Sequence, residues 1–195
     1  MTPAYDATRR AVMAALAALP FGRPAAAAQA SAVQRAKPRI LVAYFSRTGN
    51  TRVVAGLIQR AQGAELFEIM PAKPYPDDYL ETVAQARKET TSGYKPALIS
   101  RVPRIVDYDT VFLGFPIWGE TAPPAIRSFL SEHDLSGKTL IPFVTHGGYG
   151  LGNSLSVLAS LAPKARLLPG FTMEADQERR TMERVTGWLG TVSAK

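Results

Sequence analysis

The stretch Ile40-Leu41-Val42-Ala43-Tyr44-Phe45-Ser46-Arg47-Thr48-Gly49-Asn50-Thr51 decides the fold of this chain. Its apolar first half predicts a buried β-strand, and the helical pattern that follows predicts a helix, with a tight loop between them. A helix start presents unpaired backbone N–H groups and the positive end of the helix dipole. Gly49 permits a close approach or a positive φ. Further hydrogen-bond donors in the loop are the side chains of Ser46, Thr48, Asn50 and Thr51. The stretch therefore predicts a phosphate-binding loop.

Two common phosphate loops do not match this stretch. It has no Gly-Lys-Ser/Thr, so the lysine and the magnesium-binding hydroxyl of a nucleoside triphosphatase are missing. It also lacks the G-x-G-x-x-G turn that binds dinucleotides. The simpler alternative is that these polar residues only form a capped turn.

The 195 residues are long enough for one α/β domain with a short appendage. Of these residues 46% are hydrophobic and 20% are charged, which is ordinary for a globular protein. No cysteine is present, which excludes disulfides, cysteine-bound metal centres and thiol chemistry. The formal net charge is +7, but no run of five basic residues occurs. We therefore interpret the charge as solvated surface and expect no nucleic-acid partner.

Residues 1–30 differ from the rest and are predicted to be a signal peptide. Arg9-Arg10 precede a short alanine-rich apolar segment, and Ala28-Gln29-Ala30 is a small-x-small cleavage site. The paired arginines resemble a twin-arginine signal, which predicts a periplasmic protein, with residues 31–37 as a linker. The alternative is an amphipathic N-terminal helix on a cytoplasmic protein. The apolar segment is too short to span a bilayer, so we expect no membrane span in the mature form.

From Pro38 onward, strand-like and helical patterns alternate. Strands are predicted at Arg39–Phe45, Glu65–Ile69, Thr110–Phe115, Thr139–Thr145 and Ala165–Phe171. Helices are predicted at Thr51–Gln62, Tyr79–Thr90, Ala122–His133, Gly152–Leu161 and Asp176–Val192. This alternation predicts an α/β fold with a doubly wound, five-stranded parallel sheet, in which Trp188 of the last helix belongs to the core.

In such a sheet, ligands bind beyond the carboxyl ends of the strands. Phe115–Pro124 follows the third predicted strand and places Trp118 beside a glycine. Thr145–Asn153 follows the fourth and contains four glycines around Tyr149. A phosphate loop flanked by two glycine-rich loops that carry aromatic residues predicts a site for a flat, phosphorylated cofactor.

The chain resembles a flavodoxin from Pro38 to Val192. The S-x-T-G-N-T loop is similar to that family's phosphate signature. The G-[FY]-P-I-W and T-H-G-G-x-G segments, and the stretch Pro74–Tyr79, are similar to a bacterial flavodoxin-like subgroup. The resemblance implies strand order 2-1-3-4-5, a short-chain member without an insertion in the fifth strand, and one non-covalent FMN.

The resemblance also implies the binding residues. The phosphate is held by Ser46, Thr48, Asn50 and Thr51, with the backbone of Arg47 and Gly49. One side of the isoalloxazine is lined by Pro116, Ile117, Trp118 and Gly119. The other side is lined by Thr145, His146, Gly147, Gly148, Tyr149 and Gly150. No catalytic residue and no metal ligand is expected.

Several of these residues have a simpler interpretation. His146 alternatively satisfies the backbone of its own loop, Trp118 anchors its loop, and Tyr149 is an exposed loop aromatic. His133, near a helix C-terminus, is interpreted as a cap without chemistry.

The resemblance favours an electron carrier that serves unidentified redox partner proteins. The positive charge suggests acidic partners, and we expect a monomer. The alternative is an enzyme, an FMN-dependent NAD(P)H:quinone or flavin reductase. A third hypothesis is a domain that binds partner proteins without flavin.

Overall fold

The computed structural model describes residues 38–174 and 178–193, so the predicted signal peptide and linker lie outside the described residues. The strands are β1 (Ile40–Tyr44), β2 (Glu65–Glu68), β3 (Thr110–Pro116), β4 (Thr139–His146), β5 (Arg166–Leu167) and β6 (Phe171–Glu174). The α-helices are α1 (Asn50–Gln62), α2 (Tyr79–Ser92), α3 (Pro124–Glu132), α4 (Ser154–Leu161) and α5 (Glu178–Ser193). A 3₁₀-helix spans Ile105–Asp107. Among the described helices, none has the length and apolarity needed to cross a bilayer.

The sheet is parallel and has the order β2-β1-β3-β4-β5, which confirms the predicted fold class and strand order. The register aligns the carboxyl ends of the three central strands. Tyr44 of β1 lies opposite Gly114 of β3, and Pro116 of β3 lies opposite Thr145 of β4. The loops that follow these strands therefore emerge side by side at one edge of the sheet.

The core lies on both faces of the sheet, because successive strand residues point to opposite faces. Leu41, Ala43 and Phe45 pack on the face that α3 covers. Val42 and Tyr44 pack on the other face, against α1 and α5. Trp188 of α5 is half-buried in this second layer, with its ring 5.7 Å from Phe112 and 5.3 Å from Phe171 between centroids. This confirms its predicted place in the core.

The predicted fifth strand, Ala165–Phe171, is wrong as a single strand. It is interrupted at residues 168–170, and both of its segments, β5 and β6, pair with β4. In β4, Leu140 directs its carbonyl toward this neighbour, where it accepts the N–H of Leu168. Pro142, two residues on, directs its backbone to the same side but has no N–H to donate. The ladder breaks there and resumes at Phe171, opposite Phe143.

The third helix was predicted to begin at Ala122 and begins instead at Pro124. Proline is favoured at the first helical position, where its missing N–H is not needed. Outside the fifth strand, the other described helix and strand ends lie within two residues of their predicted positions.

Candidate functional site

A cleft of about 770 Å³ opens at the carboxyl ends of the central strands. The residues predicted for the site that line it are Ser46, Arg47, Thr48, Asn50, Thr51, Pro116, Ile117, Trp118, Gly119, Thr145, His146, Gly147 and Tyr149. Of the predicted set, Gly49, Gly148 and Gly150 lie outside the lining. The fold thus brings the three predicted loops around one cavity.

The loop after β1 leaves its backbone donors free. Gly49 caps α1 with φ of 98° and has no side chain that could cap the helix. Ser46 Oγ accepts the N–H of Gly49 at 3.1 Å, which closes the turn. Within residues 38–174 and 178–193, the N–H groups of Thr48, Asn50 and Thr51 have no protein acceptor. This donor set at a helix N-terminus suits an anion such as a phosphate.

Two side chains of the phosphate loop have partners in other segments. Thr51 Oγ1 and Thr145 Oγ1 are 2.9 Å apart and buried, so a hydrogen bond joins α1 to the end of β4. Arg47 Nη1 donates to the backbone carbonyl of Asp77 at 3.0 Å. This hydrogen bond fixes the phosphate loop to the segment before α2.

The loop after β3 forms a tight turn. Trp118 N–H donates to the carbonyl of Thr121 at 3.1 Å, and Thr121 N–H donates back to Trp118 at 3.3 Å. Gly119 and Glu120 between them have φ of 57° and 62°, the conformation of a type I′ turn. Thr121 Oγ1 is buried and has no partner among the described residues. An unpaired buried hydroxyl in the cleft wall is a place for a ligand's polar atom.

Trp118 both lines the cleft and anchors its loop. Its ring makes edge contacts with Phe45, at 5.2 Å between centroids, and with Tyr75, at 4.7 Å. Tyr75 Oη in turn donates to Glu89 Oε2 of α2 at 2.7 Å. Burial, and then the hydrogen bond to Glu89, raise the pKa of the Tyr75 phenol, so this group keeps its proton. The Trp118 ring is thus held in a fixed orientation.

The loop after β4 begins at His146, the last residue of that strand. His146 Nδ1 accepts the N–H of Gly148 at 3.1 Å, which places the ring proton on Nε2. His146 thus satisfies its own loop and lines the cleft as well. Tyr149 is 79% exposed at the mouth of the cleft.

The loops after β3 and β4 touch through their backbones. Asn153 N–H donates to the carbonyl of Glu120 at 2.9 Å. Gly152 has φ of 51°, and a Cβ atom at this position would lie 1.9 Å from that carbonyl oxygen. Only glycine fits both the conformation and the space, so the position of one loop fixes that of the other.

One wall of the cleft was not predicted. It is formed by residues of α2 and by two residues of the Trp118 turn, namely Tyr79, Thr82, Val83, Ala86, Arg87, Thr90, Thr91, Glu120 and Thr121. The spacing of Thr82, Ala86 and Thr90 at every fourth position was a usable signal, because it puts small or polar residues along one side of the helix.

Two expectations concern residues outside the cleft. His133 is buried, accepts the N–H of Val102 at Nε2 and contacts the carbonyl of Phe129 through Nδ1, so it is a neutral structural residue. Burial lowers the pKa of His133. Among the described residues, no group of three or more histidines and carboxylates is placed to hold a metal ion.

The chain is similar in sequence and in fold to several known proteins. The sequence model of the flavodoxin family matches residues 39–192. A flavoprotein from Bacteroides eggerthii is 36% identical, with a TM-score of 0.71 over 82% of this chain and 100% of its own. A flavoprotein from Bacteroides uniformis is 34% identical, with a TM-score of 0.70 over 78% of this chain and 98% of its own. A Lactobacillus acidophilus flavoprotein, solved in complex with FMN, is 19% identical and shares the fold, with a TM-score of 0.63 over 75% of this chain and 99% of its own. A search of curated proteins gave no match.

Proposed function

Because the chain belongs to the flavodoxin family, we propose that it binds one FMN non-covalently in this cleft and passes electrons between redox partner proteins. The observation that carries the proposal is the set of free N–H groups on Thr48, Asn50 and Thr51 at the start of α1. A terminal phosphate supplies the acceptors that these donors lack.

The remaining residues of the cleft fit the same ligand. Trp118 and Ile117 offer apolar surface to a flat ring, and they exclude water from it. The unpaired hydroxyl of Thr121 and the Nε2–H of His146 offer hydrogen bonds to polar atoms at the edge of such a ring. When bound, FMN supplies the redox chemistry, because it can exchange one or two electrons.

The direct test is Thr48→Ala. The Thr48 side chain is exposed and makes no hydrogen bond within the described residues, so its loss leaves the fold intact. A hydrogen bond to a charged group contributes about 1.5–3 kcal/mol, so FMN should bind roughly 10- to 150-fold more weakly. Riboflavin, which lacks the phosphate, is the matched control and should bind as tightly as it binds to the wild type. Equal weakening of both ligands would show that the loop does not hold the phosphate.

The carrier role needs a separate measurement. We expect rapid anaerobic electron exchange with other redox proteins and only slow reduction of the bound flavin by NADH or NADPH. Fast reduction by a nicotinamide, followed by turnover with a quinone, would favour the reductase instead. A colourless protein that takes up no FMN would favour the partner-binding domain.

The proposal extends to location and partners. Residues 1–30 contain three basic residues and one acidic residue, so the chain beyond them keeps a net charge of +5. We propose that the folded, FMN-loaded domain reaches the periplasm by the twin-arginine route and serves acidic partners there. Export of the folded protein explains how a non-covalent cofactor made inside the cell leaves with it.

A further inference from the structure

Two of the three buried residues of helix α2 are polar, while large apolar side chains are exposed, unlike the pattern of an ordinary surface helix. Its buried residues are Thr82, Ala86 and Glu89. Leu80, by contrast, is 72% exposed and Val83 is 44% exposed. The position of Thr82 in the cleft wall and the hydrogen bond from Tyr75 to Glu89 explain why these polar residues face inward. They do not explain Leu80, which is not among the residues that line the cleft.

The outward face of α2 has the geometry of a surface that receives another helix. A shallow hollow runs along it, bordered by Leu80, Val83, Ala84, Arg87, Lys88, Thr91 and Ser92. Positions 80, 83, 84 and 87 have the i, i+3, i+4, i+7 spacing of a hole in knobs-into-holes packing, and positions 84, 87, 88 and 91 form the next hole. Ala84 belongs to both holes, and its small side chain lets a second helix approach closely.

The charges along this face are complementary to themselves. Glu81 lies in the N-terminal half of α2, while Arg87 and Lys88 lie in the C-terminal half. Within residues 38–174 and 178–193, none of these three side chains takes part in an ion pair. A second copy of α2, laid antiparallel on the first, places each basic half beside an acidic residue.

We propose that this face of α2 binds the same face of a second copy of the chain, in a two-fold symmetric, antiparallel dimer. With Ala84 near the axis, Leu80 enters the hole formed by positions 84, 87, 88 and 91 of the second copy. Glu81 then lies beside Lys88 of that copy. Val83, Arg87 and Thr91 border both the hollow and the cleft, so pairing along the hollow fixes one wall of each cleft. The proposal is independent of the bound cofactor.

A charge swap tests the dimer on the purified full-length chain by sedimentation equilibrium. Glu81→Lys and Lys88→Glu each replace two attractive contacts with two repulsive ones, so each should weaken dimerisation by about tenfold or more. The double variant restores opposite charges and should return to within about threefold of the wild type. Arg60→Glu, on α1 at the other face of the sheet, makes the same charge change and should have no effect. Thermal melts confirm that each variant is folded.

Three results would overturn this proposal. A wild-type protein that stays monomeric at the highest concentration reached is one, and it agrees with the expectation from the sequence. A dimer that is insensitive to the single reversals is the second, since it uses another face. Failure of the double variant to restore association is the third, since Glu81 and Lys88 would then not lie beside each other across the interface.

Discussion

We expect Gly152→Ala to destabilise the protein more than Gly150→Ala, although both glycines lie in one loop with positive φ. Their φ values are 51° and 69°. A Cβ atom at Gly150 would meet nothing within 4 Å. At Gly152 it would lie 1.9 Å from the carbonyl oxygen of Glu120 and 2.5 Å from the carbonyl carbon. The pair of variants therefore separates the effect of backbone conformation from that of contact between the loops.

The magnitudes follow from this geometry. Gly150→Ala should cost about 1–2 kcal/mol, which is the price of a left-handed conformation for an L residue. Gly152→Ala adds a displacement, because 1.9 Å is 1.5 Å short of the 3.4 Å at which ordinary contact begins. A shift of this size breaks the hydrogen bond from Asn153 to Glu120, which contributes about 0.5–1.5 kcal/mol. We therefore expect a total loss of about 1.5–3.5 kcal/mol for Gly152→Ala.

Guanidinium denaturation, followed by far-UV circular dichroism, measures both losses of stability. An unchanged slope of unfolding free energy against denaturant concentration confirms that only stability differs. FMN affinity gives a second readout, because Glu120 belongs to the turn that carries Trp118. It should fall for Gly152→Ala and change little for Gly150→Ala. Equal destabilisation of the two variants would refute the reasoning, since the two loops would then not depend on this contact.

Three further predictions concern other parts of the chain. Burial lowers the pKa of His133, so near pH 6.5 the unfolded chain takes up a proton that the folded protein does not. The free energy of unfolding should therefore fall as the pH drops below 6.5. Denaturation of His133→Gln should show a weaker pH dependence in this range. Tyr75→Phe removes the donor to the buried carboxylate of Glu89 and should cost about 1.5–3 kcal/mol at pH 7, and no loss in denaturation would argue against this hydrogen bond. Replacing Arg9-Arg10 by Lys-Lys should leave an intact yellow precursor in the cytoplasm, whereas normal export on cell fractionation would contradict the twin-arginine proposal.

The sequence was sufficient to predict the fold because the signals were local. The three central strands, β1, β3 and β4, are short apolar runs, and the loop Ser46–Gly49 lies between the first strand and the first helix. The site loops were also predictable, since parallel strands bring their carboxyl ends to one edge. The break between β5 and β6 was not, because it depends on Pro142 of the neighbouring strand, far away in the sequence.

The α2 wall escaped prediction for a related reason. A helix is normally placed by its apolar side, and in α2 the apolar Leu80 and Val83 point away from the core. The inward side carries Glu89, which accepts a hydrogen bond from Tyr75 of the segment before α2. Tyr75 reaches Glu89 only once the segment before α2 has folded against Trp118.

The contacts between the site loops have a consequence for affinity. Thr51 is joined to Thr145, and the backbone of Gly152 rests on that of Glu120, so loops from three strands hold one another in place. The Trp118 ring is held independently of any ligand by Phe45 and Tyr75. Because the loops are already ordered, a cofactor that enters this cleft loses little binding free energy to the conformational entropy of the loops. Changes that loosen these contacts should therefore weaken FMN and riboflavin alike, whereas changes at Thr48 should affect only the ligand that carries a phosphate.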